Sequence, residues 1–277
     1  MKFGLLGKNI SYSLSPILHQ VFADLTGLVI TYDLLDLDHL HIAEGMTVLE
    51  YCELNEYNGV NVTIPLKEEL IDQVDERSEE VERIGSLNTI QFKEHLSKAF
   101  STDLTAIKKT ALWSLQDVEA GGSFLIKGAG GFARAAAFAL GELGAMHIYI
   151  VNRDFDRAIE LEEDLNDHNI KAMALEERDM FEDNLHFDGL MNATPVGMGE
   201  SIEMPFDLGL IKKARWVIES VYTPQKTMFL DMAHEFKKDL ISGSSLLFHQ
   251  GADSFELWTG KTVDRVAAWS LFLERIK

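Results

Sequence analysis

A chain of 277 residues, 46% of them hydrophobic, is long enough for one large or two medium domains with a proper core and too apolar to be disordered. Its formal net charge of −20 argues against nucleic acid or an anionic membrane surface as partner, and any anionic ligand must find local backbone amides and a few cations. No apolar run approaches the ~18 residues of a spanning helix; Cys52 is the only cysteine, which excludes an intramolecular disulfide and suits a reducing cytoplasm.

Met1–Gly7 reads as a buried strand rather than a signal peptide, with Phe3–Leu6 at its centre and Lys8-Asn9 ending it. A loop rich in Ser and Asn follows, then a helix over Ile17–Leu25 with Pro16 at its first position and Ser15 as N-cap. Val29–Leu37 is a strand, Leu40–Glu56 a helix closed by Asn58-Gly59, and Val60–Ile64 an alternating strand stopped by Pro65. Helices over Lys67–Val74 and Ser78–Ile84 precede short strands at Leu87–Phe92 and Lys98–Phe100, and a helix over Leu104–Leu115 leads onward. Strands alternating with helices make the first hundred residues an α/β domain.

Ser123–Lys127 is an apolar strand, followed by a glycine turn and a helix through Ala135–Leu143 that stops at Gly144. Gly128, Gly130 and Ala133 have the G-x-G-x-x-G/A spacing of a dinucleotide fingerprint. The first glycine makes the tight turn, the second lets backbone approach a pyrophosphate, and the helix N-terminus then faces the phosphates. A second strand, His147–Val151, ends in Asn152-Arg153-Asp154, near where an acid would select NAD and an arginine a 2′-phosphate. The helix Arg157–Asn166 sets Ala158, Leu161 and Leu165 on one face, with strands Gly189–Met191 and Trp216–Val221 further on. Helices over Thr227–Lys238 and Ser245–Trp258 precede a terminal amphipathic helix lining up Val266, Trp269, Leu273 and Ile276. The histidines show no metal-ligand spacing, so no metal is expected.

Several short stretches in order resemble the shikimate dehydrogenase family over nearly the whole chain. They are Ser11–Pro16 with His19, Asn61–Lys67 (NVTIPLK), Gly85–Thr89 (GSLNT), Thr102-Asp103, Gly128–Arg134, Asn192–Met198 (NATPVGM), Tyr222–Pro224 with Thr227, and Gln250–Ala252 running to Leu257–Gly260. The resemblance implies an α/β protein of two domains, in which an N-terminal substrate domain is completed by C-terminal helices and a Rossmann-like dinucleotide domain is inserted. The expected bounds are 1–103 plus 239–277 for the first and 104–238 for the second.

It also implies reversible NADPH-dependent reduction of 3-dehydroshikimate to shikimate, in the cytoplasm, by a monomer or homodimer. Lys67 and Asp103 match the catalytic pair, and a carbonyl reduction needs such a proton donor held by a partner acid. Their plainer roles would be a solvated helix lysine and a helix N-cap. Ser13, Ser15, Thr63, Asn88, Gln250 and Tyr222 match the substrate contacts, offering a polyhydroxy acid the neutral donors it needs. Gly128, Ala129, Gly130, Gly131 and Phe132 match the diphosphate loop, Asn152, Arg153 and Arg157 the adenosine end, and Gly243 the nicotinamide approach, with NADP as cofactor. Ser101, Ala106, Lys127, Phe132 and Asp154 depart from the usual pattern. The alternatives are a quinate/shikimate paralogue using NAD or NADP, and a non-catalytic nucleotide-binding sensor.

Overall fold

Strand-length apolar runs, separated by helix-length runs with glycine or proline at their ends, build two six-stranded sheets. The computed structural model describes residues 1–182 and 184–277. Two compact units result, one of Met1–Thr102 with Phe248–Lys277 and the other of Asp103–Leu247.

The first unit contains β1 (Lys2–Gly7), α1 (Ser15–Thr26), β2 (Thr31–Asp36), α2 (Val48–Leu54), β3 (Gly59–Val62), α3 (Leu66–Glu69), β4 (Glu76–Arg77), α4 (Glu79–Ile84), β5 (Thr89–Lys93) and β6 (Leu96–Phe100). Its sheet runs β2-β1-β3-β5-β6-β4. Strand β1 is parallel to β2 and β3, whereas β5 is antiparallel to β3 and β6. Consequently the C-terminal ends of β1, β3 and β6 and the N-terminal end of β5 share one sheet edge. One face covers a core that includes Leu6, Val60, Val62, Val81, Leu87 and Ile90.

The second unit begins with α5 (Thr102–Ser114, its first residue in the other unit) and continues through β7 (Ser123–Lys127), α6 (Gly131–Glu142), β8 (His147–Val151), α7 (Phe155–Asp167), β9 (Ala172–Leu175), β10 (Gly189–Asn192), α8 (Leu208–Lys213), β11 (Trp216–Glu219), α9 (Met228–Glu235) and β12 (Asp239–Ile241). The sheet order β12-β11-β10-β7-β8-β9 is entirely parallel. Read from β9 it is the dinucleotide-fold order 3-2-1-4-5-6, whose order reverses between β7 and β10. Helix α10 (Gly243–Thr259) carries the chain back into the first unit, which α11 (Arg265–Arg275) completes. There Trp258 stacks on Phe3 at 4.7 Å and donates its indole N–H to the Ile90 carbonyl at 3.0 Å.

Several sequence expectations change. Leu40–Glu56 is helical only over Val48–Leu54, because Gly45 has φ 82° and Thr47 starts the helix through a capping box with Glu50. Lys67–Val74 shortens to one turn at Leu66–Glu69 and a 3-10 turn at Ile71–Gln73. The terminal helix buries Ala268 and Phe272, while Val266 is 82% exposed, so its apolar face is rotated from the one expected. The short strands β4, β9 and β12 lie outside the expected set. Among the described residues no helix is long and apolar enough to cross a membrane, and no group of side chains could hold a metal ion.

Candidate active site

In the first unit the expected substrate residues emerge from the shared sheet edge. After β1, Asp36 at the end of β2 accepts the backbone N–H groups of Asn9 and Ile10 at 3.1 and 3.0 Å, which fixes the start of the serine loop. Ser13 Oγ then donates to Ser15 Oγ at 3.1 Å and accepts the Ser15 backbone N–H at 3.2 Å. Ser15 does not cap α1. The cap position is Leu14, with no side-chain cap bond, and the Ser15 side chain is left to its neighbour Ser13. The reason is geometric: Ser15 and Pro16 already have helical backbone, and a cap must sit one residue earlier.

Thr63 follows β3, half-buried, and its N–H donates to the Leu6 carbonyl at 2.9 Å. Lys67, also half-buried, lies on α3, and its carbonyl accepts the Leu87 N–H at 2.9 Å, which ties α3 to the turn that carries Asn88. Asn88 is 2% exposed and holds the centre of the edge. Its Oδ1 accepts the Thr102 N–H at 2.7 Å, and its Nδ2 donates to Thr102 Oγ1 at 2.9 Å and to Gln250 Oε1 at 3.3 Å. Asn88 therefore joins the strand edge, the start of α5 and helix α10. Asp103 follows Thr102 in the first turn of α5; it is buried and is not the N-cap of that helix, which already includes Thr102.

Beneath this edge lies a polar layer that the sequence reading did not name as site residues. Tyr32 donates its hydroxyl to Asn61 Oδ1 at 2.9 Å, and Asn61 Nδ2 donates to Thr89 Oγ1 at 3.2 Å. Thr89 and Thr102 hydroxyls are 3.1 Å apart, which closes the layer onto Asn88. The available signal was polar residues, Asn61 and Thr89, inside otherwise apolar strands. His19 lies among the aromatic rings next to it, stacked on Tyr32 at 4.3 Å, and both its nitrogens lack a hydrogen bond of normal geometry. Burial pulls its pKa down to about 3, opposed only by the nearby Asn61 amide, so the ring is neutral. His19 acts by packing against these rings.

In the second unit the expected cofactor residues follow the C-terminal ends of β7, β8 and β12. Gly128 has φ 120°, a conformation that favours glycine, and a Cβ there would lie 2.8 Å from the Ala193 carbonyl in the loop after β10. The two loops at the reversal of strand order thus touch backbone to backbone. Ala129 is buried, Gly130 is the extended N-cap of α6 with no side-chain cap bond, and Gly131 and Phe132 open the helix. No acid occupies the first turn of α6, so the positive end of the helix dipole is not already neutralised by a carboxylate of its own. This cradle fits a dinucleotide diphosphate.

Lys127, which ends β7, donates to Glu177 Oε1 at 2.5 Å and to the Pro205 carbonyl at 3.1 Å, so a lysine is accommodated where an apolar residue is usual. Arg134 is ion-paired with Asp164 on α7. After β8, Asn152 Nδ2 donates to the Asp154 carbonyl at 2.7 Å, shaping the turn from which exposed Arg153 projects, with half-buried Arg157 in the first turn of α7. Asp154 occupies the N-cap position of α7, but its carboxylate makes no cap hydrogen bond. Tyr222 is half-buried in the loop after β11, and Gly243 begins α10, where a Cβ would lie 2.3 Å from the Val221 carbonyl.

Family models match in three blocks. Residues 5–90 match the shikimate dehydrogenase substrate binding domain, 112–193 shikimate / quinate 5-dehydrogenase, and 243–269 the shikimate 5'-dehydrogenase C-terminal domain. Shikimate dehydrogenase (NADP(+)) of Saccharolobus solfataricus is 36% identical over 94% of this chain and 90% of its own. Shikimate 5-dehydrogenase of Thermus thermophilus, solved with NADP(H) and shikimate, is 29% identical with a TM-score of 0.82, covering 99% of each chain. Quinate dehydrogenase of Corynebacterium glutamicum, solved with NAD, is 26% identical with a TM-score of 0.88, again over 99% of each chain.

Proposed function

Because the chain belongs to the shikimate dehydrogenase family, we propose that it catalyses the reversible NADPH-dependent reduction of 3-dehydroshikimate to shikimate. The observation that carries this reading is the convergence of Ser13, Ser15, Thr63, Asn88 and Gln250 on one sheet edge, with Lys67 on the adjoining turn of helix and Asp103 one residue beyond Thr102. Those residues suit a small acid with several hydroxyls. Ser13 and Ser15 bind the carboxylate; Thr63, Asn88, Gln250 and Tyr222 serve the ring oxygens.

When bound at the glycine loop, the reduced nicotinamide supplies a hydride to the carbonyl carbon. Lys67 holds the carbonyl oxygen with its ammonium group and gives it the proton that completes the alcohol. Asp103 orients both, and in the oxidative direction Lys67 takes the proton back. Gly128 to Phe132 hold the diphosphate, Arg153 and Arg157 the 2′-phosphate with Asn152 shaping their turn, and Gly243 leaves room for the nicotinamide end. The substrate domain is residues 1–102 with 248–277, and the cofactor domain 103–247; the expected boundary at 239 moves because β12 (Asp239–Ile241) pairs with β11 in the second sheet. The enzyme works in the cytoplasm as a monomer or homodimer, and its net charge of −20 argues against nucleic acid as a partner.

A second reading, oxidation of quinate with NAD, is favoured by the fit to quinate dehydrogenase and by the negative charge of Asp154 beside Arg153. Incubating the protein with 3-dehydroshikimate and NADPH and identifying the product by chromatography tests the main reading. Shikimate is expected, in one-to-one proportion with NADPH consumed. No product in that assay contradicts it.

A further inference from the structure

Strand β11 is buried throughout and apolar except for its last residue, Glu219, which has no cationic partner among its hydrogen bonds. Its carboxylate instead collects neutral donors from separate segments. Asn192 Nδ2, at the end of β10, donates to Oε1 at 2.8 Å, and the Val221 N–H in the loop after β11 donates to the same oxygen at 2.9 Å. Thr227 Oγ1, the N-cap of α9, donates to Oε2 at 3.0 Å. The Ser220 N–H, which donates to the Asn192 carbonyl at 3.0 Å, lies close enough to favour the ionised form of the same carboxylate. Lys127 occupies the corresponding register position on β7, two strands away across β10, but it is engaged by Glu177.

Each of those donors also shapes a loop. Asn192 donates to the Val196 carbonyl at 3.0 Å and accepts the Thr194 N–H at 3.1 Å and the Thr194 hydroxyl at 2.7 Å, which folds the Asn192–Met198 loop onto itself. The two loops are joined further on, where the Gly199 N–H donates to the Thr223 carbonyl at 2.9 Å. Tyr222 lies between Val221 and Thr227, the two bonded points, and the Val221 carbonyl packs against Gly243. A carboxylate with this many fixed donors is an expensive group to bury for stability alone, since an apolar residue would fill the same space without desolvation.

We infer that Glu219 is a positioning residue, whose buried carboxylate brackets the loops after β10 and β11 and so sets Tyr222 for the substrate and the Val221–Gly243 contact for the nicotinamide end of the cofactor. The inference rests on the roles proposed above for Tyr222 and Gly243. Glu219 itself touches neither ligand. It acts through the backbone of both loops, and its own requirement is reach rather than charge. A glutamine satisfies that requirement, with its carbonyl oxygen toward Asn192 and Val221 and its amide donating to the Thr227 hydroxyl.

The test compares Glu219→Ala with Glu219→Gln in two assays, initial rates with shikimate and NADP, and NADPH binding followed by nucleotide fluorescence without substrate. Thermal melting fixes the folded fraction. Glu219→Ala is expected to raise the shikimate KM at least tenfold and the NADPH Kd at least threefold per folded molecule, and Glu219→Gln to return both to within about threefold of the parent. A folded Glu219→Ala protein with KM and Kd within twofold of the parent overturns the inference, as does a Gln variant as impaired as the Ala variant. Should Glu219→Ala fail to fold, Thr227→Val removes the bond to Oε2 together with the α9 cap bond from the Leu230 N–H, so its folded fraction is fixed by the same thermal melt. It is expected to raise the shikimate KM two- to fivefold, with Thr227→Ser restoring it, and an unchanged KM overturns the inference. If the parent turns over no shikimate, the NADPH titration still decides the bracketing role, so failure of the proposed reaction is distinguishable.

Discussion

The two units build their sites from different materials. In the first, side chains do the work: Ser13 bonds Ser15, and Asn88 joins Thr102 and Gln250 at one mixed-sheet edge. In the second, backbone does it, with Gly128 at φ 120° against Ala193, Gly130 uncapped at the head of α6, and Gly243 against Val221. A small polyhydroxy acid must be read hydroxyl by hydroxyl, so residue type matters; a diphosphate needs N–H groups and room, so the absence of side chains matters.

Substitutions that remove a side chain should therefore cost most in the first unit, and those that add one in the second. Lys67→Ala is expected to lower kcat by a factor of about 100 or more with little change in the shikimate KM, or ~2.7 kcal/mol of transition-state stabilisation. Steady-state kinetics check this, and a near-normal kcat would return Lys67 to the role of a solvated helix residue.

The contrast extends to buried ionisable groups, one in each unit and opposite in sign. His19, without hydrogen bonds, has its pKa pulled from 6.5 down to about 3 by burial. The unfolded chain binds the proton more readily, so this contribution to stability is present above pH 6.5 and lost as pH falls toward 3. Glu219 is pushed up from 4.5 to about 7, also by burial, against the pull of its donors. Its contribution is present below pH 4.5 and lost as pH rises through 7. Urea unfolding across this range should show Glu219→Gln gaining on the parent between pH 5 and 8 by about 2 kcal/mol, and His19→Phe gaining on it as pH drops from 6 to 4. Parallel curves for parent and variants would contradict the assignment.

Gly128→Ala adds one methyl in the second unit. With its φ of 120° and a Cβ only 2.8 Å from the Ala193 carbonyl, the loops after β7 and β10 must separate, and the NADPH Kd is expected to rise about tenfold. Fluorescence titration measures it, and an unchanged Kd would mean that the close approach is not needed for the diphosphate.

How much of this could be read beforehand differs between the units for the same reason. The glycine loop was legible as spacing alone, because Gly128, Gly130 and Ala133 are required by the backbone path. The strand–helix alternation was legible from apolar runs. The side-chain network was legible only through motif resemblance, since nothing in residues 88, 102 and 250 announces that they meet. Short edge strands such as β4, with the two residues Glu76 and Arg77, carry too little apolar pattern to stand out. The overlong second helix had a readable start that was missed, since Thr47-x-x-Glu50 is a capping box. Glu219 was visible as an acid ending an apolar strand, but its donors come from residues up to 27 positions away.

The smallest expected effect sharpens cofactor choice. Asp154 makes no cap bond, so its charge stands near the arginines without a structural duty to offset it. Asp154→Thr is expected to raise the kcat/KM ratio of NADP over NAD by about threefold to tenfold, up to ~1.4 kcal/mol. An unchanged ratio would mean that the carboxylate points away from the 2′-phosphate.

The central claim is that the first unit's side chains select shikimate and the second unit's loops select NADP. The most direct test is a four-way comparison of kcat/KM for shikimate and quinate, each with NADP and with NAD. The account predicts the highest value for shikimate with NADP. A higher value for quinate with NAD would contradict it.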